Sequence, residues 1–361
     1  VVGVISPWNF PVFLSLSPVA GAIAAGNRVM LKPSEWTPKT SALLAELVSK
    51  AFEPDEFAVF EGGIETGRAF AELPFDHLLF TGSTRVAKEV SNSAAKNLTP
   101  LTLELGGKSP ALVCPGANLK RAAERIVFGK LANAGQICIA PDYVFVERAK
   151  FHDFIELLQT YIKKAYPRLN NNPDYTSIIS VDHFTRLNRM IEEAREDGAE
   201  IISINPDGEA LEPSARKIPP TLILRPNPTL GVMQEEIFGP ILPVLSYEKI
   251  EEAIEFVQHR ARPLALYLFT EKAIERERIL RETVSGGVAV NEVLFHCVCE
   301  TLPFGGVGAS GMGSYHGQAG FDTFSHLKPV FIQPRFNFNF FLVPPITPMK
   351  RLFAKIFRKL V

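Results

Sequence analysis

An excess of charge of either sign is missing from this sequence: 38 Lys and Arg stand against 39 Asp and Glu, for a formal net charge of −1. Such a chain sets up no global field to gather polyanions, so no nucleic-acid partner is expected. Cysteine is scarce, with only Cys114, Cys138, Cys297 and Cys299 among 361 residues. Four thiols are no disulfide framework for so long a chain, and a reducing, cytoplasmic setting is expected. No apolar run reaches the roughly 18–20 residues that a membrane-spanning helix needs, and no signal peptide is visible. The chain begins without Met inside an apolar run, Val1-Val2-Gly3-Val4-Ile5, and so reads as N-terminally truncated, with any targeting segment out of view. No internal repeat is evident. His296-Cys297-x-Cys299 lacks a second ligand pair, so no metal is expected.

What is present is a hydrophobic fraction of 46%, enough for a sizeable core in two or three domains. Short apolar runs alternate with amphipathic stretches. Strands are predicted at 1–5, 28–31, 58–60, 77–80 and 101–105, with helices over 15–25, 38–52, 66–72 and 84–96 between them. This alternation predicts an open parallel sheet covered by helices, a Rossmann-like α/β domain. From about residue 108 a second α/β unit is expected. Its helices fall at 118–132, 151–165, 183–196, 249–259 and 272–283, and its strands at 143–146, 200–205, 221–225, 264–269 and 287–290. The expected division is 1–107, 108–307 and a loop-and-tail segment 308–361.

Ligands of such sheets bind outside the carboxyl ends of the strands. Turn chemistry accounts for the Gly and Pro residues there, but not for Asn9, Lys32, Glu35 and Glu104. Glu104, between apolar residues and two glycines, suits a partly buried general base; a solvated carboxylate is the alternative. Cys138 follows a helix and precedes Pro141 in what reads as a tight, exposed turn. It is either a nucleophile or a structural thiol. Asn9 offers an amide to a developing oxyanion or merely turns the chain. Lys32 and Glu35 suit ribose hydroxyls or form a solvated pair, and Ser83 caps a helix whose N-terminus can face a pyrophosphate. Gly306, Gly308 and Gly311 match Gly-x-Gly-x-x-Gly, yet no strand leads into them, so a plain glycine-rich loop over 303–317 is expected. His316, next to Tyr315, reads as a packing or hydrogen-bonding residue. The tail 350–361 places Leu352, Phe353, Ile356, Phe357 and Leu360 on one face and carries Lys350, Arg351, Lys355, Arg358 and Lys359. It suits an anionic membrane surface, or packing on its own domain or a partner subunit.

Seven segments in order resemble the NAD(P)-dependent aldehyde dehydrogenases. They are Pro-Trp-Asn-Phe-Pro (7–11), Lys-Pro-Ser-Glu (32–35), Phe-Thr-Gly-Ser-Thr (80–84), Leu-Glu-Leu-Gly-Gly-Lys-Ser-Pro (103–110), Gly-Gln-x-Cys-x-Ala-Pro (135–141), Glu-Glu-Ile-Phe-Gly-Pro (235–240) and Pro-Phe-Gly-Gly (303–306). Ala-Pro-Asp-Tyr-Val (140–144), Asn-Pro-Asp-Tyr-Thr (172–176) and Ser-Gly-Met-Gly-Ser-Tyr-His-Gly (310–317) are similar to the class 3 and coniferyl-aldehyde branch. The resemblance implies oxidation of an aldehyde, aromatic or medium-to-long-chain, to its acid. Cys138 would form a thioester, Asn9 would hold the oxyanion and Glu104 would activate water. NAD or NADP would be held by Ile5, Pro7, Trp8, Lys32, Ser34, Glu35, Gly63, Thr81, Gly82, Ser83, Leu105, Glu236 and Phe238. A homodimer is implied as well. Two departures stand out. Ala87 replaces a usual glycine, with an expected tightening of the helix–cofactor approach, and the segment that ordinarily precedes residue 7 is not present. A non-catalytic fragment is the alternative function. Transfer of the thioester to coenzyme A is a third, disfavoured by Glu104.

Overall fold

The computed structural model describes residues 1–337, 339–341 and 343–358. The first half runs β1 (Val2–Ile5), α1 (Phe13–Ala24), β2 (Val29–Lys32), α2 (Pro38–Ala51), β3 (Phe57–Val59), α3 (Ile64–Ala71), β4 (His77–Thr81), α4 (Thr84–Ala95) and β5 (Leu101–Glu104). The second continues through β6 (Pro110–Val113), α5 (Leu119–Leu131), β7 (Tyr143–Glu147), α6 (Phe151–Ala165), α7 (Val181–Glu196), β8 (Glu200–Ser203), β9 (Thr221–Leu224) and α8 (Gly231–Gln234). It closes with β10 (Ile241–Tyr247), α9 (Ile250–Gln258), β11 (Ala265–Phe269), α10 (Ala273–Glu282), β12 (Gly287–Val290), β13 (Gly311–Met312), α11 (Gly317–Thr323) and α12 (Pro348–Phe357).

Among the described residues these strands make two sheets, ordered β13-β5-β4-β1-β2-β3 and β12-β11-β6-β7-β10-β9-β8. All neighbours are parallel except β13 on β5 and β8 on β9. β1 is buried at every position, as a strand covered on both faces must be, and its side chains read as a continuous apolar run. Register then sets the site. Ile5 pairs with Lys32 on one side and Phe80 on the other, and Thr81 pairs with Glu104. The carboxyl ends of four strands therefore lie side by side. The strand order reverses between β1 and β4, which is where a crevice opens in such sheets.

Two strands escape sequence reading for the same reason. β6 begins at Pro110 and β10 contains Pro243, although both lie inside the second sheet. Proline forfeits a ladder hydrogen bond and argues against an interior strand. The segment 303–317 is more than a loop. β13 pairs Gly311 with Glu104 and Met312 with Leu103, flanked by bridges Phe304–Tyr315 and Gly308–Gly311. A Cβ on Gly311 would run into the Leu103 carbonyl and one on Gly306 into that of Ser310. These glycines let backbone press against β5, which explains the misleading Gly-x-Gly-x-x-Gly. Ala87 is also reassigned. It is 2% exposed among Leu78, Phe80 and Val90, so its methyl packs in the core of the first sheet and does not tighten a cofactor approach.

Residues His326–Val361 form a unit of their own. Within it Thr347 caps α12, and Phe353 stacks on Phe341 at 4.1 Å. Lys350 is turned inward, its Nζ donating to the Val343 carbonyl at 2.6 Å and lying over the Phe340 ring. It therefore does not belong to the exposed positive face expected of it. Leu352, Ile356 and Phe357 are exposed, while Lys359 and Leu360 fall outside the described residues. No helix among the described residues is long and apolar enough to cross a membrane.

Candidate active site

Glu104 ends β5 with 1% of its surface exposed, and neither carboxylate oxygen has a hydrogen-bond partner among the described residues. Burial pushes its pKa up to about 8, and the facing Cys138 thiol takes back part of the rise. Glu236 behaves alike. Burial and then the negative charge of Asp142 raise it to about 8. Gly106 lies directly against the Glu236 carboxylate, so that any side chain there would occupy its place. Two enclosed carboxyls, both raised to about 8, are suited to moving protons.

Cys138 follows α5 through a turn at Ala132–Gly135 in which Asn133 and Ala134 both adopt left-handed backbone, at φ 49° and 51°. Gly135 sits where a Cβ would strike the Gly239 carbonyl. Gln136 pins this turn: its Nε2 donates to the carbonyls of Asn133 and Ser177, and its Oε1 accepts from the Ile179 amide at 2.9 Å. The Asn9 amide donates to the Gln136 carbonyl at 3.1 Å, and Asn133 donates back to the Asn9 carbonyl at 3.1 Å. These bonds bring the Pro-Trp-Asn-Phe-Pro loop of the first sheet onto the thiol-bearing turn of the second. The Cys138 thiol is half-buried, not on an exposed turn. Burial, Glu104 and Glu236 all push it above the ordinary thiol range.

Cys138 borders two cavities. One, of about 630 Å³, is walled by Pro7, Trp8, Asn9, Thr81, Gly82, Ser83, Glu104, Leu105, Glu236 and Phe238, along with Leu14, Arg85, Gly106, His183, Arg186 and Glu235. The other, of about 360 Å³, is aromatic: Phe10, Phe13, Phe128, Phe295, Phe304 and Tyr315 enclose it. Of all these side chains, only Cys138 and Leu14 belong to both.

His183 and Arg186 are the residues that sequence reading passes over. They sit on α7, whose amphipathic pattern carries no strand-end signal. The Trp8 ring packs 5.7 Å from His183 and edge-on to Phe238 at 5.5 Å. Arg186 donates to the Glu236 and Ile237 carbonyls at 3.1 and 2.6 Å. Phe238 takes a left-handed backbone, φ 51°, inside this clasp.

The remaining positions line the strand edge at and beyond the 630 Å³ cavity. Ile5 closes β1. Lys32 is 3% exposed and bonds Glu35 at 2.8 Å, so this is an anchored pair and not a solvated one. Burial raises the Glu35 carboxyl, but the Lys32 hydrogen bond, a backbone hydrogen bond and the Lys32 charge together hold the pKa below its ordinary value. Ser34 accepts from the Trp36 amide, and Gly63, before α3, has open space where a Cβ would project. Ser83 caps the 12-residue α4, accepting from the Val86 amide, and the Thr81 hydroxyl is buried without a partner among the described residues. A helix N-terminus, an orphaned hydroxyl and a clamped carboxylate along one edge fit the phosphates and sugars of a dinucleotide. Among the described residues no group of three or more His, Cys, Asp or Glu is placed to hold a metal.

The segment carrying Glu236 and Phe238 is held from below. Lys108 bonds the Asp142 carboxylate and the carbonyls of Val232 and Glu235, while Asp142 accepts from the Ile237 amide at 3.0 Å. Both partners are nearly buried. Lys108→Met leaves Asp142 buried and unpaired, and is expected to cost about 3–5 kcal/mol of stability. Urea denaturation reads this directly, and an unchanged midpoint would remove the pair from the site's scaffold.

Residues 1–330 match the model of the aldehyde dehydrogenase family. A probable coniferyl aldehyde dehydrogenase of Caulobacter vibrioides is 54% identical over 334 residues, covering 92% of this chain and 69% of that protein. The structure titled as the substrate-bound state of Staphylococcus aureus AldH superposes with a TM-score of 0.91 at 42% identity, over 99% of this chain and 76% of that one. A Mycobacterium tuberculosis aldehyde dehydrogenase complexed with NAD+ superposes with a TM-score of 0.84 at 31% identity, over 93% of this chain and 70% of that one.

Proposed function

The chain belongs to the aldehyde dehydrogenase family, and we propose that it oxidises aromatic aldehydes of the coniferyl type to their acids with NAD or NADP, through a thioester on Cys138. The observation that carries this reading is the position of the thiol, between an aromatic chamber and a polar crevice at the switch point of a parallel sheet. The aldehyde enters the aromatic chamber. Cys138 gives its proton to a neighbouring carboxylate, which passes it on to solvent, and attacks the carbonyl carbon. The Asn9 amide, oriented by Gln136, and the Cys138 backbone N–H hold the developing oxyanion. A bound dinucleotide would supply the hydride acceptor for that carbon. Thr81, Gly82 and Ser83 hold its phosphates, Lys32, Ser34, Glu35 and Gly63 its adenosine end, and Glu236 and Phe238 its nicotinamide riboside. Ile5, Pro7, Trp8 and Leu105 shape the crevice. Glu104 then takes a proton from water, which opens the thioester. The clamped Glu35 carboxylate favours a ribose hydroxyl over a 2′-phosphate, and so NAD over NADP.

Residues 1–107 serve as the cofactor domain, 108–307 as the catalytic domain, and 308–361 as a C-terminal loop and tail segment. The family resemblance supports a homodimer and a cytoplasmic location. The exposed Leu352, Ile356 and Phe357 beside Arg351, Lys355 and Arg358 support peripheral contact with anionic membranes. Deleting 350–361 is expected to abolish co-sedimentation with phosphatidylserine vesicles; undiminished binding would assign the tail to packing instead. For the activity itself, NAD(P)H formation is followed spectrophotometrically with coniferyl aldehyde, cinnamaldehyde and short aliphatic aldehydes. The aromatic pair should give the highest kcat/KM, and a preference for the short aliphatic aldehydes would reject the aromatic assignment.

A further inference from the structure

Cys297 is a side chain of the aromatic chamber that aldehyde oxidation does not use. It closes a single turn, Phe295–Cys297, and is half-buried. It lines the same 360 Å³ chamber as Cys138, both thiols are free, and both pack against the same core of side chains. Their electrostatics are linked: Cys297 acts on Cys138, and the charge of Glu104 bears on both. The other two cysteines are placed differently. Cys114 is buried, Cys299 is exposed near the Thr301 hydroxyl, and neither lines the chamber.

We propose that Cys138 and Cys297 are a reversible disulfide site, formed when a hydroperoxide enters the aldehyde chamber. Cys138, its proton passed to Glu104, attacks one peroxide oxygen. An S–O bond forms, the O–O bond breaks, and water or an alcohol leaves. The resulting sulfenic acid is then attacked by the Cys297 thiolate. The S–S bond forms, the S–O bond breaks and the hydroxyl leaves as water with the proton that Cys297 gave up. Two electrons pass from the thiol pair to the peroxide. Without a second thiol in reach, a sulfenic acid advances to the sulfinic acid, which ordinary thiols do not reverse. Burial and nearby carboxylates hold both thiols above their ordinary range, with Cys297 pushed up to about 11, so the resting pair is sluggish and needs a neighbouring carboxylate as proton acceptor.

The loss of activity rests on Cys138 being the nucleophile; the linkage does not, and can be read without turnover. The full chain is treated with hydrogen peroxide, digested without reduction and analysed by mass spectrometry. A Cys138–Cys297 linked peptide, lighter by two hydrogens, is expected, together with loss of two titratable thiols per chain. Dithiothreitol should return most of the starting NAD(P)H-forming rate. In Cys297→Ser, with each rate normalised to its own untreated sample, Cys138 should accumulate as sulfinic acid and dithiothreitol should recover little. Cys299→Ser should behave like the parent. A linked peptide joining Cys138 to another cysteine, no linked peptide at all, or recovery in Cys297→Ser equal to the parent would overturn the proposal.

Discussion

Cys138→Ala is expected to lower kcat by roughly four orders of magnitude or more, the scale on which nucleophile removal acts in covalent catalysis. The geometry gives the reason. The aromatic chamber and the polar crevice meet at this sulfur, so no other nucleophile can attack a carbonyl in the one and leave it facing the other. Cys297 shares the chamber but not the crevice, and cannot stand in for it. Asn9, Gln136 and the left-handed turn at Asn133–Ala134 remain in place in the variant, so binding survives while chemistry stops. Stopped-flow absorbance at the reduced-cofactor band should show neither burst nor steady state. A variant within tenfold of the parent would remove Cys138 from the reaction.

Glu104→Gln should behave differently. With Glu236 left to take the thiol proton, the first half-reaction proceeds and deposits one equivalent of reduced cofactor per site, after which the thioester persists. Steady-state turnover should fall by about 10²–10⁴-fold, the usual worth of a positioned general base. Because burial raises the Glu104 carboxyl to about 8, the parent's kcat should climb as pH rises through that value, while the variant's slow residual rate should lack this limb. Rapid quench after one turnover should recover an acyl group on Cys138. Normal turnover with an unchanged pH profile would assign the base elsewhere, Glu236 being the other carboxyl of matching pKa.

Much of this site is legible in the amino-acid order because parallel strands announce themselves. Their buried sides are unbroken apolar runs, so polar residues such as Asn9, Lys32 and Glu104 stand out at their ends. The limits have physical causes. Pro243 hides β10, since proline forfeits the ladder bond that an interior strand normally keeps. His183 and Arg186 lie on an ordinary amphipathic helix and matter only because Trp8 and the Glu236 backbone pack against them. That Glu104 would be fully enclosed depends on β13 returning across β5, a pairing of two residues that no periodicity can signal. Lys350 is similar: its charge suggests solvent, and only the neighbouring Phe340 ring and Val343 carbonyl turn it inward.

Glu104 and Glu236 also bear on endurance. Each titrates near 4.5 in a solvated chain and near 8 inside the fold. Between those values the unfolded chain sheds protons that the native protein keeps, so their contribution to folding free energy is fully present below 4.5 and drains away as pH climbs through 8. Mild alkali, where the base is ready to take a proton from water, is therefore where these two carboxyls hold the molecule together least. Preparations kept slightly acidic should outlast those kept at the pH of fastest catalysis.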